Sequence, residues 1–213
     1  MLETIIKGRF MMIPLMLCSV IALAVIIDRA VAFFLNNKLD TRALRAQLLR
    51  HLRRGEIKEA GLLCVSTPGP VAAVLLAGLQ AFNKLDNPTP ENLRLSVGEA
   101  MEDHSLHSMS AVEKRLWILS TIANAAPLFG MSGTVLGMIS SFEVLGESSD
   151  PQVIGVGISE ALITTAAGLL IALMAVIPFS FFTSQAEEIE LEVEEASSEM
   201  IDFLVTESGT GES

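Results

Sequence analysis

Tyrosine is absent from this chain, tryptophan occurs once and cysteine twice. The two cysteines, Cys18 and Cys64, are too few and too far apart for a disulfide framework or a zinc site. There is no Gly-rich phosphate loop, and no Ser/His/Asp or Cys/His arrangement with supporting context. Neither an enzyme nor a cofactor-binding protein is therefore expected. Lys and Arg together number 14 against 25 Asp and Glu. Without a basic stripe and interleaved aromatics, nucleic acid is not an expected partner. Charge is missing altogether from three long stretches: Phe10–Ile27, Leu116–Phe142 and Ala161–Ala186.

Those three stretches dominate what is present. The chain is 51% hydrophobic yet carries a formal net charge of −11. Apolar and charged residues must then be segregated into blocks. About eighteen or more apolar residues in a row read as a membrane-spanning helix. The expected fold class is an all-α membrane protein with three transmembrane helices. A helical cytoplasmic domain lies between spans one and two, and a helical cytoplasmic extension follows span three.

In chain order, residues 1–9 form a short N-terminal segment and 10–35 the first span. Lys7 and Arg9 precede the apolar run as they would in a signal peptide, but the run ends at Asp28 and Arg29 with no small-x-small cleavage site. A retained helix is the expectation. Residues 36–115 form a polar block in which Leu44, Leu48 and Leu52 repeat every fourth position and mark an amphipathic helix. Gly55 and the TPGP at 67–70 interrupt it; further helices are expected over about 70–85 and from Glu91 to Lys114. His104 and His107 share one face of the last of these, which reads as helix surface before it reads as a metal site. Residues 116–142 form the second span, with Trp117 as an interfacial aromatic. A connector at 143–152 leads to a third span at 153–182, an amphipathic helix at 183–205 and a disordered tail at 206–213.

The second and third spans carry the unusual features. Gly130, Thr134, Gly137 and Ser141 recur at helical spacing and make one face of small or hydroxylated side chains. Gly133 and Gly137 form a GxxxG. Gly157, Ala161, Thr164, Gly168, Ala172 and Ala175 do the same in the third span. Small faces let helices approach closely in lipid, where no hydrophobic force draws them together. Glu160 lies beside that face. An acidic side chain near the centre of a span costs about 2.5–3.5 kcal/mol on insertion scales, so it is a functional candidate by default. At about 1.5 Å per residue, Thr134 and Glu160 both lie roughly 12 Å in from the connector. That shared depth places them on one polar path.

The tail from 183 onward has ten acidic residues and no Lys or Arg, while 36–60 carries seven basic and three acidic ones. Two readings stand side by side: contact between the acidic tail helix and the basic helix, within one chain or between neighbours, or two independently solvated charged faces. Eleven of the fourteen Lys and Arg lie in 36–115. The positive-inside bias puts that block and the C-terminus in the cytoplasm, and the N-terminus and connector outside.

TIANAAPLFGMSGTVLGMISSF at 121–142, followed by GISEALITTAAGLLIALMAVIP at 157–178, resembles the paired signature of the MotA/TolQ/ExbB proton-channel family, nearest its ExbB/TolQ branch. The resemblance covers nearly the whole chain. It implies an inner-membrane motor subunit that conducts an ion, with the proton as first candidate. It also implies a homo-oligomer, a pentamer whose second and third spans line a central pore. The implied partner is a single-span ExbD/TolR/MotB-like protein with a membrane Asp, and a TonB- or TolA-like protein is a further candidate. By the same resemblance Glu160 matches the family carboxylate, Thr134 and Thr165 its pore-lining threonines, and Pro127 the proline at the cytoplasmic end of span two. Thr164 and Ser132 join the candidate path; Gly130, Gly133, Gly137 and Gly168 join Pro127 as packing residues. Ser132 replaces the bulky residue usual in GLLGT or GLFGT, which bears on whether H⁺ or Na⁺ is carried. Met174 replaces a usual proline, with Pro178 one turn later. A non-conducting membrane scaffold for a partner complex is the alternative reading.

Overall fold

The computed structural model describes residues 11–36, 41–85, 89–147 and 151–210. Among these the chain is helical: α1 Met12–Asn36, α2 Thr41–Arg53, α3 Ile57–Ser66, α4 Pro70–Phe82, α5 Pro90–Val112, α6 Leu116–Glu147 and α7 Pro151–Thr210. Helix thus occupies 143–147 and 151–152, within the stretch read as a connector, and 206–210, within the stretch read as disordered. Residues 1–9, 148–150 and 211–213, also part of those expectations, lie outside the described residues. Three of the helices are long and apolar enough to cross a membrane, over Met12–Phe33, Leu116–Glu143 and within Ile154–Glu207.

The chain divides into two compact units. One comprises residues 1–31 and 115–182, the other 32–114 and 183–213.

In the first unit, Leu15, Ala22 and Val25 of α1 and Leu116, Leu119, Ile122 and Ala126 of α6 are buried. Large apolar side chains such as Leu17, Val20, Met131, Leu162 and Leu170 point outward. That inversion suits a lipid surround, where exposed Leu and Val cost nothing. Arg115 opens α6 in the left-handed region at φ 72, a conformation that a non-glycine residue adopts at some cost. Its guanidinium meets Asp28 Oδ1 at 2.8 Å, and Arg29 takes Oδ2 at 2.8 Å. The Arg115–Asp28 contact ties the charged ends of two apolar helices together, while Arg29, the neighbour of Asp28 in α1, holds the other carboxylate oxygen.

The second unit is built in the opposite sense. Leu44, Leu48 and Leu52, the repeat seen in the sequence, are buried with Val71, Val74, Leu75 and Leu79 of α4 and Leu93, Val97 and Met101 of α5. Val193, Ala196, Met200 and Leu204 of the α7 extension complete the same core. Its turns follow local chemistry. Gly55 ends α2 at φ 72, with Gly55 N donating to Leu52 O at 2.9 Å and Glu56 N to His51 O at 3.0 Å. This is the Schellman pattern, which needs a left-handed residue and so favours glycine. Thr89 caps α5 by accepting from Asn92 N at 3.3 Å, with Pro90 in the first turn, where a missing N–H costs nothing. The acidic extension meets the basic helix through Arg45 Nη1, 3.2 Å from Glu195 and 3.7 Å from Glu199. Arg94 reaches Asp202 at 3.5 Å.

Candidate functional site

Most of the candidate residues lie where α6 and α7 cross antiparallel in the first unit. The crossing is close, with glycine at four of the positions where the helices meet. A Cβ added at Gly168 would lie 2.6 Å from Ala126 O and 3.0 Å from Gly130 Cα. One at Gly130 would lie 3.1 Å from Thr165 Cα, and one at Gly137 2.7 Å from Ala161 Cβ. At Gly133 it would lie 2.6 Å from Thr164 Cγ2. At Gly168 a Cβ would meet backbone closer than real Cβ atoms come, and at Gly133 and Gly137 it would displace a facing side chain, so the two small faces form one close contact.

Hydroxyl groups line this contact. Thr165 Oγ1 donates to Gly130 O at 2.9 Å, and Thr134 Oγ1 lies 3.2 Å from the same carbonyl and 3.4 Å from Ala161 O. The two threonine hydroxyls also bond to each other across the helices. Thr164, which is buried, donates to Glu160 O at 3.0 Å, and Ser141 donates to Gly137 O at 2.8 Å. Each hydroxyl therefore finds a backbone acceptor or a second hydroxyl, as a polar atom in an apolar surround must.

Glu160 behaves differently. It precedes buried Ala161, yet its own side chain is exposed, at the border of the α6–α7 contact and outside it. Ser132 is exposed as well, one residue before buried Gly133. The structure thus separates the candidates. Thr134, Thr164 and Thr165 belong to the seam between two helices of one chain, while Glu160 and Ser132 face outward from it.

Pro127 sits inside α6 and Pro178 inside α7. Each lacks an N–H and so leaves the carbonyl four residues earlier, Ala123 and Met174, without its helical donor. Ala123 lines a groove with Ser120, Asn124, Leu169, Ala172 and Phe179. Asn124 Nδ2 donates to Ser120 O at 2.8 Å within it. The Asp28–Arg29–Arg115 cluster was not legible from spacing. Its one sequence signal is that Asp28 and Arg115 stand at the ends of uncharged runs. His104 and His107 are both exposed on α5, and no group of three potential metal ligands occurs among the described residues.

The sequence is similar to those of known proteins. The model of the MotA/TolQ/ExbB proton channel family matches residues 66–195. A putative biopolymer transport protein ExbB-like 1 of Synechocystis is 32% identical over 189 residues, covering 86% of this chain and 71% of that protein. The biopolymer transport protein ExbB of Salmonella typhimurium is 29% identical over 83% of this chain and 73% of its own length. The Tol-Pal system protein TolQ of Pseudomonas aeruginosa is 32% identical over 57% of this chain and 56% of its own length.

Proposed function

The chain belongs to the MotA/TolQ/ExbB proton channel family, and from that premise we propose that it is an ion-conducting subunit of an inner-membrane motor of the ExbB/TolQ type. Protons cross at an interface that its second and third spans form with copies of themselves and with a single-span ExbD/TolR-like partner. The energy released moves that partner for transport or envelope work, with a TonB- or TolA-like protein as the load. The N-terminus and the 143–152 segment between the second and third spans lie outside, and the 36–115 block and the C-terminus lie in the cytoplasm.

One observation carries this reading: the outward-facing Glu160 on an otherwise uncharged span. Lipid gives a carboxylate neither hydrogen bonds nor a counter-charge. An exposed Glu in the span therefore calls for cover by another protein surface or by a water-filled path. A homo-oligomer, taken as a pentamer, supplies both, because each copy would bring one Glu160 to a shared pore. There a membrane Asp on the partner takes and releases the proton, and Glu160 shapes the field it meets. Each proton that falls through the membrane potential delivers about 2.3 kcal/mol per 100 mV, enough to bias one mechanical step.

A second reading has its own support. The hydroxyls of Thr134 and Thr165 already bond to Gly130 O and to each other, as they would in a scaffold that conducts nothing. The two readings part at Glu160. In cells, Glu160→Gln should abolish partner-dependent energised work while oligomer and partner still co-purify. Retention of full activity by Glu160→Gln would leave the scaffold as the better account.

A further inference from the structure

Two exposed stripes in the second unit match one another in length and oppose one another in charge. On α2, Arg42, Ala46, Arg50 and Arg53 follow at helical spacing on the face opposite buried Leu44, Leu48 and Leu52, and all four are exposed. The guanidinium of Arg53 lies 5.9 Å above the Phe203 ring, which limits its freedom without covering it. On α5, Leu95, Glu99, Glu102 and Leu106 follow at the same spacing, opposite buried Leu93, Val97 and Met101. Leu95 is 56% and Leu106 69% exposed, though neither lies in an apolar span. Each stripe covers twelve residues from first to last, roughly 16 Å of helix.

Neither stripe is engaged by the ion pairs that tie its own helix to the α7 extension. Arg45, on the flank of α2, takes Glu195 and Glu199; Arg94, on the flank of α5, takes Asp202. The outer arginines and the outer carboxylates remain for another surface. Resting on the oligomeric reading above, we propose that this surface is a second copy of the chain. The Arg42–Arg53 stripe of one copy docks on the Leu95–Leu106 stripe of the next. Such a contact is heterologous: each copy offers one stripe to each neighbour, the arrangement that closes a ring. The two leucines of α5 lose their water against Ala46 and the aliphatic stems of the arginines, which cover apolar surface while their heads stay polar. Glu99 and Glu102 meet guanidinium groups that can take a carboxylate through two hydrogen bonds. The contact weakens as salt screens it.

The test uses the full chain extracted in mild detergent, its mass followed by light scattering over a dilution series at low salt. Three variants are compared: Arg42→Glu/Arg50→Glu/Arg53→Glu, Glu99→Arg/Glu102→Arg, and all five changes in one chain. All the altered side chains are exposed, and far-UV circular dichroism checks that helix content is kept. Each partial variant should dissociate at a concentration at least tenfold above the wild type, and the five-fold variant should return to within about threefold of it. Wild-type mass in either partial variant overturns the docking, as does failure of the combined variant to recover. If the arginine variant loses assembly only when anionic lipid is present and the glutamate variant is silent, the arginines face lipid headgroups and the proposal fails. A wild-type chain that is monomeric throughout overturns the oligomeric reading itself, whereas an oligomer indifferent to both reversals overturns the docking alone.

Discussion

Between α6 and α7 of the first unit, the residues shielded from solvent are Gly130, Gly133, Gly137, Ala161, Thr164 and Gly168. In the second unit they are Leu48, Val74, Leu75, Leu93, Met101 and Met200. Both units are helix packed on helix, and the difference lies in the solvent each presupposes. Water expels large apolar side chains into a core, and burying one is worth about 1.5–3 kcal/mol. Lipid does not expel them, so helices there associate through close backbone approach and interhelical hydrogen bonds. A glycine is thus structural in the first unit for the reason a leucine is structural in the second.

The contrast is most exposed at Gly168. Gly168→Leu would drive a side chain into Ala126 O and the Gly130 backbone. The expected cost reaches or exceeds the ~3 kcal/mol typical of severe overpacking, seen as loss of the folded chain from detergent extracts and rapid proteolysis of the spans. Next comes a matched pair of leucines. Leu48 is 1% and Leu173 54% exposed. Leu48→Ala should destabilise the second unit by about 2–5 kcal/mol, whereas Leu173→Ala in the monomeric, detergent-solubilised chain should stay within about 0.5 kcal/mol; thermal melts followed by circular dichroism compare them. Equal effects would erase the distinction between the units.

A smaller effect concerns Cys64, whose burial in the second core pushes its thiol from 9.0 up to about 11. Between those values the unfolded chain releases the proton and the folded chain keeps it. Stability therefore falls as pH rises from about 9 to about 11. Cys64→Ala should flatten that slope in denaturation curves, and maleimide labelling at pH 8 should reach Cys64 only as the unit opens. The smallest expected change is at Arg45, which joins exposed carboxylates Glu195 and Glu199 on the surface of the same unit. Arg45→Ala should cost about 0.2–1 kcal/mol at low ionic strength and less at high salt. A larger, salt-independent loss would mean that its aliphatic stem, and not its charge, holds α2 to the extension.

Sequence by itself determined the helical class, the apolar stretches and the buried repeat of Leu44, Leu48 and Leu52. Span length and amphipathic period are properties of one segment, and a single helix expresses them whatever its neighbours do. It also marked Glu160, because a charge in an apolar run stands out without any knowledge of packing. Only the tertiary structure decided that Thr134 and Thr165 meet over Gly130 O, that Glu160 stays exposed at the border of that seam, and that Asp28 of α1 meets Arg115 at the start of α6. Each of those facts depends on the rotation of one helix about its axis relative to another. Between α6 and α7 that rotation is set by where the two small faces allow close approach, which no single segment encodes. The same holds for Arg45: excess charge in two segments left contact and separate solvation both open, and its position on the flank of α2 chose Glu195 and Glu199 as its partners.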